Sequence, residues 1–218
     1  MWNFPLYILT AAIPAVIVLL ILQLFLRIHP QEKGLAVSFF LGFIAVLPAA
    51  VIEIIISGAL PVIPIAIRSL FRAFFIAALV EEVTRYYIMH MYLKGSPLVI
   101  GRTHVMAYFT AAGLGFAFYE NIIYGFGSFS ILLLRGVTAV PLHALCSAIL
   151  GYFVGRHIFG EKGSYLVTGI GIAIFIHGMY NYLLFNGYPW AVFVVLLIAG
   201  AGWASIRMYK HALFLDGK

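Results

Sequence analysis

The stretch Ala77-Ala-Leu-Val-Glu81-Glu82-Val-Thr-Arg85-Tyr86 decides how this chain is read. Two adjacent carboxylates and a guanidinium sit inside an apolar run that is otherwise long enough to cross a bilayer. A charge at bilayer depth costs at least ~2.5–3.5 kcal/mol per residue on insertion scales. Three of them within five residues would not persist in a mere anchor helix. Ionisable residues at such depth face a protein interior or a water-filled cavity, and they mark a functional site by default.

The surrounding composition agrees. Of 218 residues, 64% are hydrophobic and 9% charged, against about 25% charged in a soluble domain. Seven apolar stretches of spanning length follow one another, at roughly 5–26, 35–57, 66–92, 103–125, 131–156, 164–186 and 188–209. The expected fold is all-α, a polytopic membrane helix bundle of about seven spans forming one domain over 1–218. Pro14 and Pro48 are expected to kink the first two spans and Pro141 to bend the fifth, while Pro61 and Pro64 mark a turn before the third. The first stretch has no basic leader and no small-residue cleavage site, so it reads as a retained span and not a signal peptide. Every loop is short, which confines any catalytic machinery to the bundle. Cys146 is the single cysteine, so an intrachain disulfide is excluded and a small packing residue is the plain reading.

The net charge of +6 does not call for a nucleic acid, because the basic residues alternate between loops. Arg27, Lys33, Lys94, Arg102, Arg156, Lys162, Arg207, Lys210 and Lys218 fall at one set of ends, and the segments Ser57–Pro64, Gly125–Ser130 and Asn186–Pro189 carry no Lys or Arg. The positive-inside rule then puts the N-terminus outside and the C-terminus in the cytoplasm. Arg68, Arg72 and Arg135 lie near outer helix ends, where a long side chain can reach the interface. Arg85 does not.

Counting at 1.5 Å per residue sets Glu82 about 18 Å from the cytoplasmic end, His143 and His177 about 20 Å, and Glu120 about 27 Å or less on a tilted helix. Four helices therefore bring Glu, Glu, His and His to one layer in the outer half of the membrane. Carboxylate and imidazole are ligands that zinc accepts, and a catalytic site leaves one position for water. A glutamate could equally act alone as a general base on water while neighbouring groups stabilise the oxyanion. On spacing alone, His143 and His177 could also be axial haem ligands.

Plainer readings stand beside these. Glu81 and Arg85 are i,i+4 and could be a buried ion pair that sets helix register, with Glu82 turned about 100° away. Each histidine could be a hydrogen-bonded packing residue. Glu53 reads as interfacial, and His29, His90, His104, His157 and His211 as solvated near the cytoplasmic face. Glu120 is harder to dismiss, having no basic residue within one turn.

These residues, in this order, resemble the PrsW family of intramembrane proteases, part of a superfamily with the type II CAAX prenyl proteases. The EExxK/R motif is matched by Glu81-Glu82-Val-Thr-Arg85 and FxxxE by Phe116-Ala-Phe-Tyr-Glu120. An HAL segment preceded by Arg and Pro is matched by Arg135, Pro141 and His143-Ala-Leu. HGxY followed by Asp or Asn is matched by His177-Gly-Met-Tyr-Asn181. The match covers about residues 68–185, the expected catalytic core. The resemblance implies an endopeptidase that cuts membrane-tethered, single-pass substrates of the anti-sigma-factor type in a stress response. It implies catalytic roles for Glu81, Glu82, Glu120, His143, His177 and Asn181, the last as an oxyanion donor, with Arg85 in support. Zn(2+) would be held by Glu120, His143 and His177 if a metal is used. The rivals are a non-catalytic scaffold subunit, which the superfamily also contains, and a proton- or ion-coupled transporter. A peptide and water must reach the site, so a polar cavity open to the outside is expected between spans three to six, and the small residues Gly113, Gly115, Gly169, Gly171 and Gly178 would let these helices approach closely.

Overall fold

Apolar runs of 20 residues or more form helices in lipid because only a helix satisfies its own backbone there. The computed structural model describes residues 4–25, 30–126, 128–161, 163–187 and 191–217. Arg27, His29, Lys162, Pro189 and Lys218 lie outside the described residues. Among the described residues there is no strand, and the helices are α1 (Phe4–Phe25), α2 (Glu32–Ser57), α3 (Ile65–Phe71), α4 (Leu79–Leu93), α5 (Arg102–Gly125), α6 (Phe129–Val137), α7 (Ala139–Ile158), α8 (Tyr165–Phe185) and α9 (Ala191–Leu215). A π-helical segment, Arg72–Ala78, joins α3 to α4 without a break.

Five of the apolar stretches, Phe4–Ile21, Glu32–Ser57, Phe129–Ile158, Tyr165–Phe185 and Ala191–Leu215, are long and apolar enough to cross a membrane. The rod from Ile65 to Leu93 and helix α5 are the two other long elements, and they carry the acidic motifs. The whole is a helical membrane bundle.

Prolines act where expected, with one shift. Pro14 and Pro48 lie inside α1 and α2, and Pro61 and Pro64 open the short turns before α3. The break in the fifth stretch falls at Thr138, three residues ahead of Pro141, where φ is −119° and ψ −63°. Pro141 has no N–H to donate to the Val137 carbonyl and its ring crowds that carbonyl, so the helix ends and restarts there.

The central pair is α5 and α7; α2 packs on α5, α8 on α7, α4 against both α2 and α8, and α1 and α9 each pack against the pair. Lipid tails are as apolar as leucine, so close backbone approach holds such helices together more than hydrophobic burial does. A Cβ on Gly42 would fall on the Ala112 carbonyl, and one on Gly115 on the Phe39 carbonyl, which clamps α2 to α5. Gly113 meets the His143 carbonyl in the same way, Gly169 meets Phe153, and Gly178 meets Phe74. Gly171 departs from expectation: it faces open space.

The basic end is tied off by ion pairs. Asp216 caps α5, its Oδ1 accepting from the Arg102 N–H at 2.9 Å and its Oδ2 from the Thr103 N–H at 3.0 Å and hydroxyl at 2.7 Å. Glu161 bridges Arg102 (2.7 Å) and Arg156 (2.5 Å). His104 is buried and not solvated, because it lies on the first turn of α5 beneath this clasp. His211 is held against the Tyr152 hydroxyl at 2.6 Å.

Candidate active site

The π-helical segment ends at Ala78, three residues before Glu81. There the Leu79 N–H reaches back five residues to the Phe74 carbonyl, a device that turns the following side chains relative to a regular helix and recurs at functional sites. Beyond it Glu81, Glu82 and Arg85 all point inward and are buried, at 4%, 0% and 0% exposure. Glu120 arrives from α5, His143 from α7 and His177 from α8, each under a tenth exposed. The two imidazole rings lie edge to face, 4.7 Å between centroids. The residues expected at one depth are thus in one cluster.

The ion pair differs from the i,i+4 expectation. Arg85 bonds Glu82 at 2.5 Å, i,i+3, and not Glu81. The guanidinium also donates to His143 Nδ1 at 3.2 Å and lies over the Phe116 ring at 4.7 Å. A guanidinium can only donate, so His143 Nδ1 is an acceptor and its Nε2–H donates to Glu120 Oε2, 2.9 Å away. Glu82 Oε1 accepts from His177 Nδ1 at 2.9 Å. In the neutral ring this leaves a lone pair on His177 Nε2, which faces Glu81 Oε2 at 3.8 Å. That Glu81 oxygen is buried with no hydrogen-bond partner among the described residues. Two buried acceptors facing each other at this distance call for a donor or a cation to join them.

A metal fits this geometry in part. Donor atoms of Glu81, His143 and His177 all lie within 4.8 Å of one another. The carboxylate grouped with the two imidazoles is therefore Glu81, while Glu120 sits behind His143 as its hydrogen-bond partner. Glu81 and His177 each offer a free lone pair, and His143 offers Nδ1 once Arg85 releases it.

Two neighbours escaped the sequence. Arg135 does not reach away to the interface: it bonds Glu120 Oε2 at 3.2 Å and stacks on Tyr124 at 4.6 Å. Its pairing runs between α6 and α5, so no local spacing revealed it, although it stands in the HAL motif. Glu53 lines a cavity of about 130 Å³ between α2 and α5 together with Glu120. Asn181 lies one turn beyond His177, half-buried, outside the hydrogen-bonded cluster.

An apolar helical bundle closed around buried carboxylates, imidazoles and guanidinium defines a multi-pass membrane protein with a polar, hydrolase-like centre. The profile described as PrsW family intramembrane metalloprotease matches residues 30–204, which hold every member of that cluster, and the chain belongs to this family. Relatives named Protease PrsW include one from Geobacillus kaustophilus, 29% identical over 144 residues, covering 65% of this chain and 64% of that protein. One from Bacillus subtilis is 24% identical over 179 residues, 80% of each chain. One from Oceanobacillus iheyensis is 31% identical over 150 residues, 67% of each. The chain aligns with slightly less than two thirds of the length of the Geobacillus protein and of a Clostridioides difficile relative. No solved structure matches the chain.

Proposed function

We propose that this protein is an endopeptidase of the cell membrane that hydrolyses a peptide bond in a membrane-tethered substrate. The observation that carries the reading is the pair of opposed acceptors, Glu81 Oε2 and His177 Nε2, 3.8 Å apart inside a buried cluster from four helices. A water in that gap donates one hydrogen to each. Glu81 takes a proton as the water oxygen attacks the scissile carbonyl carbon, forming the C–O bond. The same carboxyl then gives the proton to the leaving amine as the C–N bond breaks, a general base turned general acid.

The remaining residues divide the supporting work. Glu82 is pinned by Arg85 and His177 and so orients the His177 ring. Glu120 and Arg85 grip the two nitrogens of His143. Asn181 is assigned the oxyanion, its amide donating when a peptide fills the site. In place of that hydrogen-bonded water, Glu81, His177 and, once Arg85 releases its Nδ1, His143 would hold a divalent cation such as Zn(2+), which when bound supplies Lewis acidity and a water acidic enough to ionise near neutral pH.

The substrate is assigned as a single-pass protein of the anti-sigma-factor type, with a first cut near its extracytoplasmic end, as the depth of the cluster and the positive-inside orientation suggest. The test is purified protein in nanodiscs with a panel of single-pass substrates, product termini being mapped by mass spectrometry. Cleavage in the outer juxtamembrane segment, lost in Glu81→Gln, is expected. A cut at the cytoplasmic end, or full activity in Glu81→Gln, overturns the reading.

A further inference from the structure

Helices α1 and α9 each pack against the α5–α7 pair but stand apart from one another. They leave a groove of about 770 Å³ whose wall includes Val18, Ala144, Ala148 and Gly202. Its size lies within the range of small-ligand pockets. Three hydroxyls on its wall are already committed: Thr110 to the Met106 carbonyl, Ser205 to the Ala201 carbonyl, Thr103 to Asp216. The wall is therefore apolar along most of its length. Among the described residues that line it, Lys210 carries the one full charge, at the end where α5 begins.

That charge has no local counterion. Asp216 spends both carboxylate oxygens on the first turn of α5, and Glu161 is taken by Arg102 and Arg156. Lys210 makes no ion pair among the described residues, and Arg207, one turn away, is exposed. Along α9 the groove runs from Gly202 to Phe214, about 18 Å at the helical rise. That is close to one leaflet of a hydrocarbon core ~30 Å thick and too short for a crossing helix. We propose that this groove is a binding site for an anionic phospholipid, its acyl chain along the α5–α7 floor and its phosphate against Lys210. A basic residue at an anionic membrane surface favours such binding roughly fivefold.

The experiment is native mass spectrometry of the full chain released from nanodiscs of equal phosphatidylglycerol and phosphatidylcholine. One retained phosphatidylglycerol per chain, several-fold enriched over phosphatidylcholine, is expected. In Lys210→Ala that enrichment falls roughly fivefold while a lipid is still retained. Gly202→Leu projects a side chain into the groove, where a Cβ meets only Leu145 at 4.0 Å, and should lose retained lipid of either kind, with thermal unfolding showing both variants folded. Equal retention of the two lipids in wild type, no change in Lys210→Ala, or a protein dimer or substrate helix crosslinked into the groove overturns the proposal. None of these readouts uses proteolysis, so the lipid site and the protease reading can fail separately.

Discussion

Glu81 and Glu82 are neighbours in sequence but occupy opposite electrostatic situations. Glu82 is bonded on one oxygen by both Arg85 (2.5 Å) and His177 (2.9 Å), whereas Glu81 faces His177 Nε2 at 3.8 Å with its Oε2 unbonded. Glu82 is thus anchored through Oε1 by two partners, its Oε2 remaining unbonded among the described residues, while Glu81 has no such anchor.

The two glutamates should therefore fail differently. Glu81→Gln is expected to lower cleavage by about 10²–10⁴-fold, the usual worth of a general base, with thermal unfolding in detergent unchanged within a degree or two. Glu82→Gln leaves Arg85 buried without its anion and should destabilise by about 3–5 kcal/mol. Restored stability without activity in Glu82→Gln/Arg85→Met would separate anchoring from chemistry. Equal melting temperatures for both single variants would contradict the division of roles.

Metal content offers a second check. Elemental analysis of purified wild type is expected to find about one divalent ion per chain, with His177→Ala reducing it and a chelator stopping cleavage. Because Glu120 orients His143, Glu120→Gln should weaken metal affinity by about 10–100-fold, as loss of such outer partners does. A fully active, metal-free protein would leave Glu81 acting on water alone.

The α2–α5 contact should tolerate nothing larger than glycine. Gly115→Ala places a Cβ on the Phe39 carbonyl, so backbone must move, at about 1–3 kcal/mol or more. Gly171→Ala, facing open space, is expected to be neutral or slightly stabilising through better helix propensity. Comparative melts of the two variants test the claim directly.

The clasp at the basic end should respond to acid. Burial pushes Asp216 upward, but hydrogen bonds from the Thr103 and Arg102 backbone N–H groups outweigh it and hold the carboxyl below its ordinary range. Burial likewise opposes, and Arg156 and Arg102 override, in Glu161. A carboxyl lowered on folding stabilises above its unfolded pKa, and that stability is lost as pH falls through the folded value. Asp216→Ala removes a helix cap worth about 1 kcal/mol. The difference in melting temperature from wild type should therefore shrink as pH drops below the ordinary aspartate range.

Much was legible before any coordinates. Glu81, Glu82 and Arg85 announced themselves by solvation cost alone, because no lipid-facing helix carries three charges in five residues. Apolar runs of spanning length placed most helix ends within about three residues, although α9 continues to Leu215, six beyond the expected 209, and 1.5 Å per residue put Glu120, His143 and His177 in one layer. Alternating Lys and Arg set the expected orientation by the same local counting.

Direction around the helix axis was the part that counting could not supply. On α4 both Glu82 (i,i+3) and Glu81 (i,i+4) lie within reach of Arg85, and groups brought in from other helices accompany the choice of Glu82: His177 on the same Glu82 oxygen and His143 on the guanidinium. Arg135 met Glu120 only because α6 folds back onto α5, and Gly171 proved to face outward. Which lone pairs remain free depends on partners drawn from four helices at once. Position along a helix is a property of one chain segment and can be counted from sequence; the pairing of acid with base is a property of their assembly, and only the tertiary structure decided it.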